Sequence, residues 1–364
     1  MRIGISTRHD ALNAGAILQA YALQTCLEEM GHQVEFIDAE IPHKLNWKNY
    51  VSKSPKKMIY KWIDNFNGWR YQKKKYWNAC LHKSSSHYKL YKDLENNPPI
   101  YDVYIVGSDQ VWNFSSKLSP LYLLQFVPHN KKRIAYAASM GQCNVPKHLY
   151  APLRSALSQF YAISLREDNG VAFVNKLLNK ESVCKTIDPT LLIEKKYFHK
   201  ICKEPQISND FIVSYILSSL DRQQCTNLVE CCKHLGFPII NLRNPATCLR
   251  LPQAKNKIVT PYQWLGYISK AKIVISGSFH ATVFALIYHK PFIVVLPKEL
   301  KEQGGNARIN SLLEPIGLIN HILYDITPQE MISILNKDID WDYIDTKIRE
   351  LRKYSIQFLK SSII

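Results

Sequence analysis

Short apolar runs, each followed by a polar loop and a stretch with helical spacing, recur along this chain and restrict it to an α/β fold. The first run is "RIGIST"; it leads through "RHDALNAG" into a segment whose apolar positions Ile17, Leu18, Tyr21, Ala22, Leu23 and Leu27 repeat at helical spacing. Gly31 closes that helix and "QVEFID" follows as the next strand. Such a β-loop-α-β opening starts a doubly wound domain. The pattern resumes with "YDVYIVGSD", "RIAYAASM", "QFYAISLRE", a short helix over Asp168 to Leu178, and "VCKTIDPTLL". The polar stretch "EKKYFHKICKEPQISND" reads as a link. Beyond it "FIVSYIL", a helix ending at Gly236, "PIINLR", a helix near "TPYQWLGYI", "AKIVIS" and "PFIVVLP" form a second series, with a further helix in "NARINSLLEPIGL". The expected architecture is two Rossmann-like domains facing a cleft, residues 1–195 and 208–340. A C-terminal helix over 341–364 packs back across both, and a basic, aromatic insertion occupies about 42–100.

Composition excludes several alternatives. A hydrophobic content of 46% with mixed charge describes a globular chain rather than a disordered one. No uncharged run approaches the roughly eighteen apolar residues of a membrane span, and "MRIGISTRHD" lacks the apolar stretch of a secretory signal, so a cytoplasmic protein is expected. The nine cysteines are scattered without a CxxC pair, as expected of reduced thiols. There is no GxGxxG and no GxxxxGK[ST], which removes support for dinucleotide or P-loop nucleotide binding. No His/Asp/Glu cluster has metal-ligand spacing; neither a metal nor a cofactor is expected.

The formal charge is +17, and from Pro42 to Ile100 thirteen Lys/Arg stand against three Asp/Glu. Trp47, Tyr50, Tyr60, Trp62, Trp69, Tyr71, Tyr76 and Trp77 are interleaved with them. A field of this sign attracts nucleic acid, anionic lipid or phosphorylated substrates. No helix-turn-helix, zinc finger or RNP-type motif is present, so nucleic acid is not the expected partner. Peripheral binding to an anionic membrane through residues 44–92 is the expectation, with a solvated lysine-rich insertion as the alternative.

Four segments point at one face of this architecture: "LNAGAILQAYAL", "YIVGSDQVWN", "AISLREDNG" leading to "IDPTLL", and "SGSFHATVFA" with "NARINSLL" beyond it. In the last, two serines, a glycine and a histidine stand where an apolar strand gives way to an apolar helix, a junction whose free N–H groups favour an anion. Together, in this order, the segments resemble the polysaccharide pyruvyl transferase family, from the first strand to about Gly317. One departure is Ala281, where such a motif usually has glycine after the histidine.

The resemblance implies a GT-B-like pair of domains. It also implies transfer of the pyruvyl group of phosphoenolpyruvate to a sugar of a polysaccharide or lipid-linked oligosaccharide, forming a ketal with release of phosphate. Phosphoenolpyruvate would be a donor substrate, not a cofactor. In that light His280 is the candidate for acid or phosphate contact, because an imidazole can hold or give a proton near neutral pH. Ser276 and Ser278 would donate to phosphate, with helix capping as the alternative for Ser278. Arg166 ends an apolar strand, where a guanidinium can clamp a carboxylate or phosphate, or pair with Glu167 or Asp168. Arg308 is a second anion-binding candidate or a surface arginine. Asp109 would orient or deprotonate an acceptor hydroxyl and Gln110 hold another, while Asn13 and Gly15 bring the first helix N-terminus to the acceptor. Asp188-Pro189 reads as a turn at the domain junction. A nucleotide-sugar glycosyltransferase of the same two-domain form is the alternative function.

Overall fold

The computed structural model describes the chain except residues 10–12, 40–79, 116, 219, 244–250 and 304. Most of the basic aromatic segment, and with it most of the proposed membrane-binding stretch, lies outside the described residues.

The first half contains β1 (Arg2–Ser6), α1 (Ala14–Glu29), β2 (Gln33–Ala39), β3 (Lys83–Tyr88), α2 (Tyr91–Asn96), β4 (Val103–Val106) and β5 (Lys132–Ala138). It continues with α3 (Tyr150–Leu157), β6 (Ala162–Leu165), α4 (Asp168–Leu178) and β7 (Cys184–Lys185). Its strands form one parallel sheet in the order β3-β2-β1-β4-β5-β6-β7. After α5 (Lys195–Ile201) come β8 (Ile212–Ile216), α6 (Arg222–His234), β9 (Ile239–Arg243), β10 (Lys255–Ile258), α7 (Pro261–Lys270) and β11 (Ile273–Gly277). Then follow α8 (Phe279–Ile287), β12 (Phe292–Val295), α9 (Glu299–Glu302), α10 (Ala307–Leu313), β13 (Ile322–Leu323), α11 (Pro328–Leu335) and α12 (Trp341–Ile363). This second sheet is also parallel, in the order β10-β9-β8-β11-β12-β13. Each sheet thus reverses its strand order once, between β1 and β4 and between β8 and β11, and each reversal opens a crevice at the strand C-termini.

The central strands are buried on both faces, as "VYIV" and "FIVV" show residue by residue, which is why they read as continuous apolar runs. Helix α1 is buried nearly all round, from Ala14 to Cys26 apart from Tyr21, and starts at an Asn13 cap whose Oδ1 accepts the Gly15 N–H at 2.9 Å. Gly31, at φ +84°, takes the left-handed conformation that ends it. Two strands, β3 "KSSSHY" and β10 "KNKI", have no apolar run to announce them, and both are sheet edges. Residues 83–88 therefore complete the first sheet, although the sequence placed them inside the insertion.

The polar link is also more structured than its composition implied. Within it α5 buries Phe198 completely, edge-on to Phe284 of α8 at 4.9 Å. Helix α12 starts against the second half, where the Trp341 ring stacks on His289 at 4.9 Å, and ends on the first, where Lys132 Nζ donates to the Ile364 carbonyl at 2.8 Å. One hydrophobic cluster runs through Ile3 and Ile105 of the first sheet, Val213 and Val274 of the second, and Ile348 and Leu359 of α12.

Candidate active site

The two sheet reversals face each other. From the first come Arg8 and the loop after β1, helix α1, and the Gly107-Ser108-Asp109-Gln110 turn after β4; from the second comes the β11–α8 turn. Contact is close: a Cβ on Gly15 would stand 2.2 Å from His280 Nδ1, so glycine is what lets the imidazole lie against the α1 backbone.

Inside the β11–α8 turn Ser276, fully buried, accepts the Ser278 N–H at 3.1 Å, donates to the Ser278 carbonyl at 2.8 Å and sits 2.9 Å from Thr282 Oγ1. Its hydroxyl is spent on shaping the turn. Ser278 occupies the N-cap position of α8 in extended conformation but makes no side-chain cap bond. His280 is 5% exposed; its Nε2 has no hydrogen-bond partner and lies 3.6 Å from Asp188 Oδ2.

Arg166, 3% exposed at the end of β6, gathers the acidic groups of the site. Its Nη1 donates to Asp188 Oδ2, its Nε lies 3.5 Å from Glu167 Oε1 and its Nη2 3.8 Å from Asp109 Oδ1, without a hydrogen bond at Nη2. The guanidinium carbon stands 4.3 Å above the Phe279 ring. Of the two pairings the sequence allowed, Arg166 takes Glu167; Asp168 bonds Lys185 at 2.6 Å and Ser311 Oγ at 2.8 Å instead.

Electrostatics follow from this crowding. Burial pushes the Asp109 carboxyl up, but the charges of His280, Arg166, Arg8 and Arg308 outweigh it and hold the group below the usual carboxylate range. Asp188 behaves alike: burial raises it, while His280, Arg166 and the Thr190 hydrogen bond bring it well below that range. Glu167 goes the other way, raised by burial despite Arg166. The Arg308 guanidinium is lowered by burial and by the like charge of Arg166. Arg8, Arg166, His280 and Arg308 thus all favour the ionised form of Asp109, with Arg166 the nearest at 3.8 Å.

The remaining sequence candidates divide. Asn13 gives its side chain to the α1 cap. Gln110 is half-buried and lies close to Gly141, where an added Cβ would be 2.9 Å from Gln110 Nε2. Asp188, read from the sequence as a turn former, does shape a 3-10 turn through its bonds to Thr190, but it is also the carboxylate that both Arg166 and His280 face. Arg8 has no role in the sequence reading and Glu167 only that of a pairing partner for Arg166; the signal for both is an ionisable residue at the end of an apolar strand. Ser108 and Gln19 complete the scaffold: Gln19 Oε1 accepts the Ser108 N–H at 3.1 Å and its Nε2 donates to Thr7 Oγ1 at the same distance. A cavity of about 40 Å³, lined by Arg166, Asp188, Phe279, Arg308, Ile348 and Ser355 among others, adjoins the ion pair. Among the described residues no group of three His, Cys, Asp or Glu side chains is arranged as metal ligands, and no helix is long and apolar enough to cross a membrane.

Two Rossmann-like domains with a cation-lined cleft between their sheet reversals define a GT-B-like protein, and solved structures agree on the fold. UDP-N-acetylglucosamine 2-epimerase from Rickettsia bellii superposes with a TM-score of 0.52 at 11% identity, over 100% of this chain and 96% of that one. The UDP-GlcNAc 2-epimerase of Methanocaldococcus jannaschii gives a TM-score of 0.52 at 15% identity, over 97% and 99%. No curated protein sequence matches. A family model described as "Polysaccharide pyruvyl transferase" matches residues 13–299, and the chain belongs to that family.

Proposed function

We propose that the protein transfers the pyruvyl group of phosphoenolpyruvate to two hydroxyls of a sugar acceptor, forming a pyruvate ketal and releasing phosphate. The observation that carries this reading is the buried cluster in which Arg166 and His280 both face Asp188, with Arg308 lining the cavity beside Arg166. A donor with a carboxylate and a phosphate on neighbouring atoms needs such a site.

In this scheme Arg166 and Arg308 grip the anionic groups, and the α8 N-terminus with the Ser278 hydroxyl supplies further donors to phosphate. His280 gives a proton to the methylene carbon as the first hydroxyl attacks the enol carbon, and the C–O bond to phosphate breaks as the second hydroxyl closes the ketal. The balance closes: of the two hydroxyl protons, one ends in the new methyl group and the other on hydrogen phosphate. Asp109, held ionised by its cations, is a weak base and acts by orienting the acceptor hydroxyl. Asp188, facing both Arg166 and His280, positions them.

The acceptor is a saccharide, carried on a lipid in this reading, and the basic segment over 44–92 would hold the enzyme to an anionic membrane surface. Liposome flotation at low salt checks that part; protein left unbound contradicts it. The reaction is checked by incubating protein with phosphoenolpyruvate and a panel of lipid-linked and model glycosides, following inorganic phosphate and product mass. Stoichiometric phosphate and an acceptor carrying a pyruvyl group are expected. A product of hexosyl transfer from a UDP-sugar, with phosphoenolpyruvate inert, would favour a glycosyltransferase.

A further inference from the structure

Helix α1 meets both sides of the site on one face. Gly15 and Gln19, one turn apart, share that face: Gly15 lets His280 lie against the backbone, and Gln19 reaches the turn that carries Asp109. Gln19 and Ser108 are fully buried and Thr7 nearly so. These three residues close a ring of hydrogen bonds that runs in one direction. The Ser108 N–H donates to Gln19 Oε1 at 3.1 Å, Gln19 Nε2 donates to Thr7 Oγ1 at 3.1 Å, and Thr7 Oγ1 donates to the Ser108 carbonyl at 2.9 Å. Gln19 Nε2 also donates to the Ala16 carbonyl at 2.9 Å, which fixes the amide to its own helix. Turning the amide over would set Nε2 against the Ser108 N–H, donor against donor, so only one orientation closes the ring.

Ser108 has no polar group left over. Its Oγ donates to the Ala137 carbonyl at 2.8 Å and lies 3.4 Å from Asp188 Oδ2. Asp109, the next residue, takes φ +68°, a left-handed conformation that a residue with a side chain keeps only where its surroundings fix it. On one side the Asp109 carbonyl accepts the Val111 N–H at 2.7 Å and the Ser139 N–H at 3.0 Å. On the other side the ring holds the turn. Apolar side chains in place of Gln19 and Thr7 would fill the same volume, but they would leave the Ser108 N–H and carbonyl unpaired and the turn without a fixed orientation.

We infer that Gln19 and Thr7 are positioning residues: through Ser108 they aim the Asp109 carboxylate at the acceptor hydroxyl, from the helix face that also seats His280. This deepens the pyruvyl-transfer reading and rests on it for the reaction, while the placement of Asp109 is measurable without turnover. The first readout is carboxyl titration by carbon-13 NMR in the full chain, labelled at the aspartate carboxyls, with Asp109 assigned by the signal that Asp109→Asn removes. Thr7→Val keeps the shape without the hydroxyl and opens the ring. It should move the Asp109 titration upward from its depressed position, because the carboxylate leaves the arrangement that its cations stabilise. Gln19→Met, of similar length, should repeat that shift from the α1 side. Thr7→Ser keeps the hydroxyl and drops a methyl group, so it should restore the wild-type titration. A loss of packing alone would act in the opposite order, disturbing Thr7→Ser at least as much as Thr7→Val. Phosphate release with the glycoside that the wild type accepts should show kcat about tenfold lower in Thr7→Val, at unchanged KM for phosphoenolpyruvate. Phosphoenolpyruvate inert towards the wild type would overturn the reaction but leaves the titration to decide on the ring. An Asp109 titration unchanged in both Thr7→Val and Gln19→Met, or disturbed equally by Thr7→Ser and Thr7→Val, overturns the proposal.

Discussion

Arg166 is a buried guanidinium with three carboxylates around it, and removing it leaves Asp188, Glu167 and Asp109 without their shared cation. Arg166→Ala and His280→Ala should each lower turnover at least tenfold, since each tenfold corresponds to about 1.4 kcal/mol of lost transition-state stabilisation. Steady-state phosphate release measures both, and near-normal release by the His280 variant would remove it from the chemistry. Stability should carry the same signature. Asp188 has a depressed folded pKa, so its contribution is complete above the unfolded value, near 3.9, and is lost as pH falls towards the folded one. Glu167, raised by burial, has the opposite sign: its share is lost as pH rises from its unfolded value through the folded one. Melting temperature followed from pH 6 downwards should therefore fall less steeply in Asp188→Asn than in the wild type. Parallel acid limbs would contradict the assignment.

At the scale of elements, the approach of α1 to α8 sets where the imidazole lies. Gly15→Ala should displace His280, because the new methyl carbon would stand 2.2 Å from Nδ1 and 2.5 Å from the histidine Cβ. Turnover should drop towards that of His280→Ala while far-UV circular dichroism stays unchanged; wild-type turnover would show that the contact is dispensable. The sequence revealed the elements with the strongest physical signature. Doubly buried strands such as β4 and β12 are continuous apolar runs, α1 carries its cap and its terminating glycine, and the β11–α8 junction shows polar residues between apolar ones. Edge strands β3 and β10 stayed hidden because, among the described residues, each has a sheet neighbour on one side only, leaving "KSSSHY" and "KNKI" without an apolar pattern. Asp188 was read only as a turn former because its local role, the bonds to Thr190, is fully visible in "IDPT", whereas its partners Arg166 and His280 are distant in sequence. For Ser276 the converse holds: its bonds to the Ser278 backbone are supplied by the folded turn and leave no mark in the sequence.

For the whole molecule, the two halves share one apolar cluster, and α12 links them a second time. Ser355 Oγ accepts the Ile187 N–H at 3.1 Å and Arg352 Nε donates to the Leu191 carbonyl at 2.6 Å, bracketing Asp188. Unfolding should consequently be a single calorimetric transition with matching calorimetric and van't Hoff enthalpies; two separated transitions would mean that the halves fold independently. The cleft they enclose is the centre of the functional account, and direct titration of phosphoenolpyruvate into the protein by isothermal calorimetry tests it best. One molecule bound per chain, with binding lost in Arg166→Ala and no comparable heat from UDP, is the predicted result. No heat from phosphoenolpyruvate beside saturable binding of UDP would contradict it.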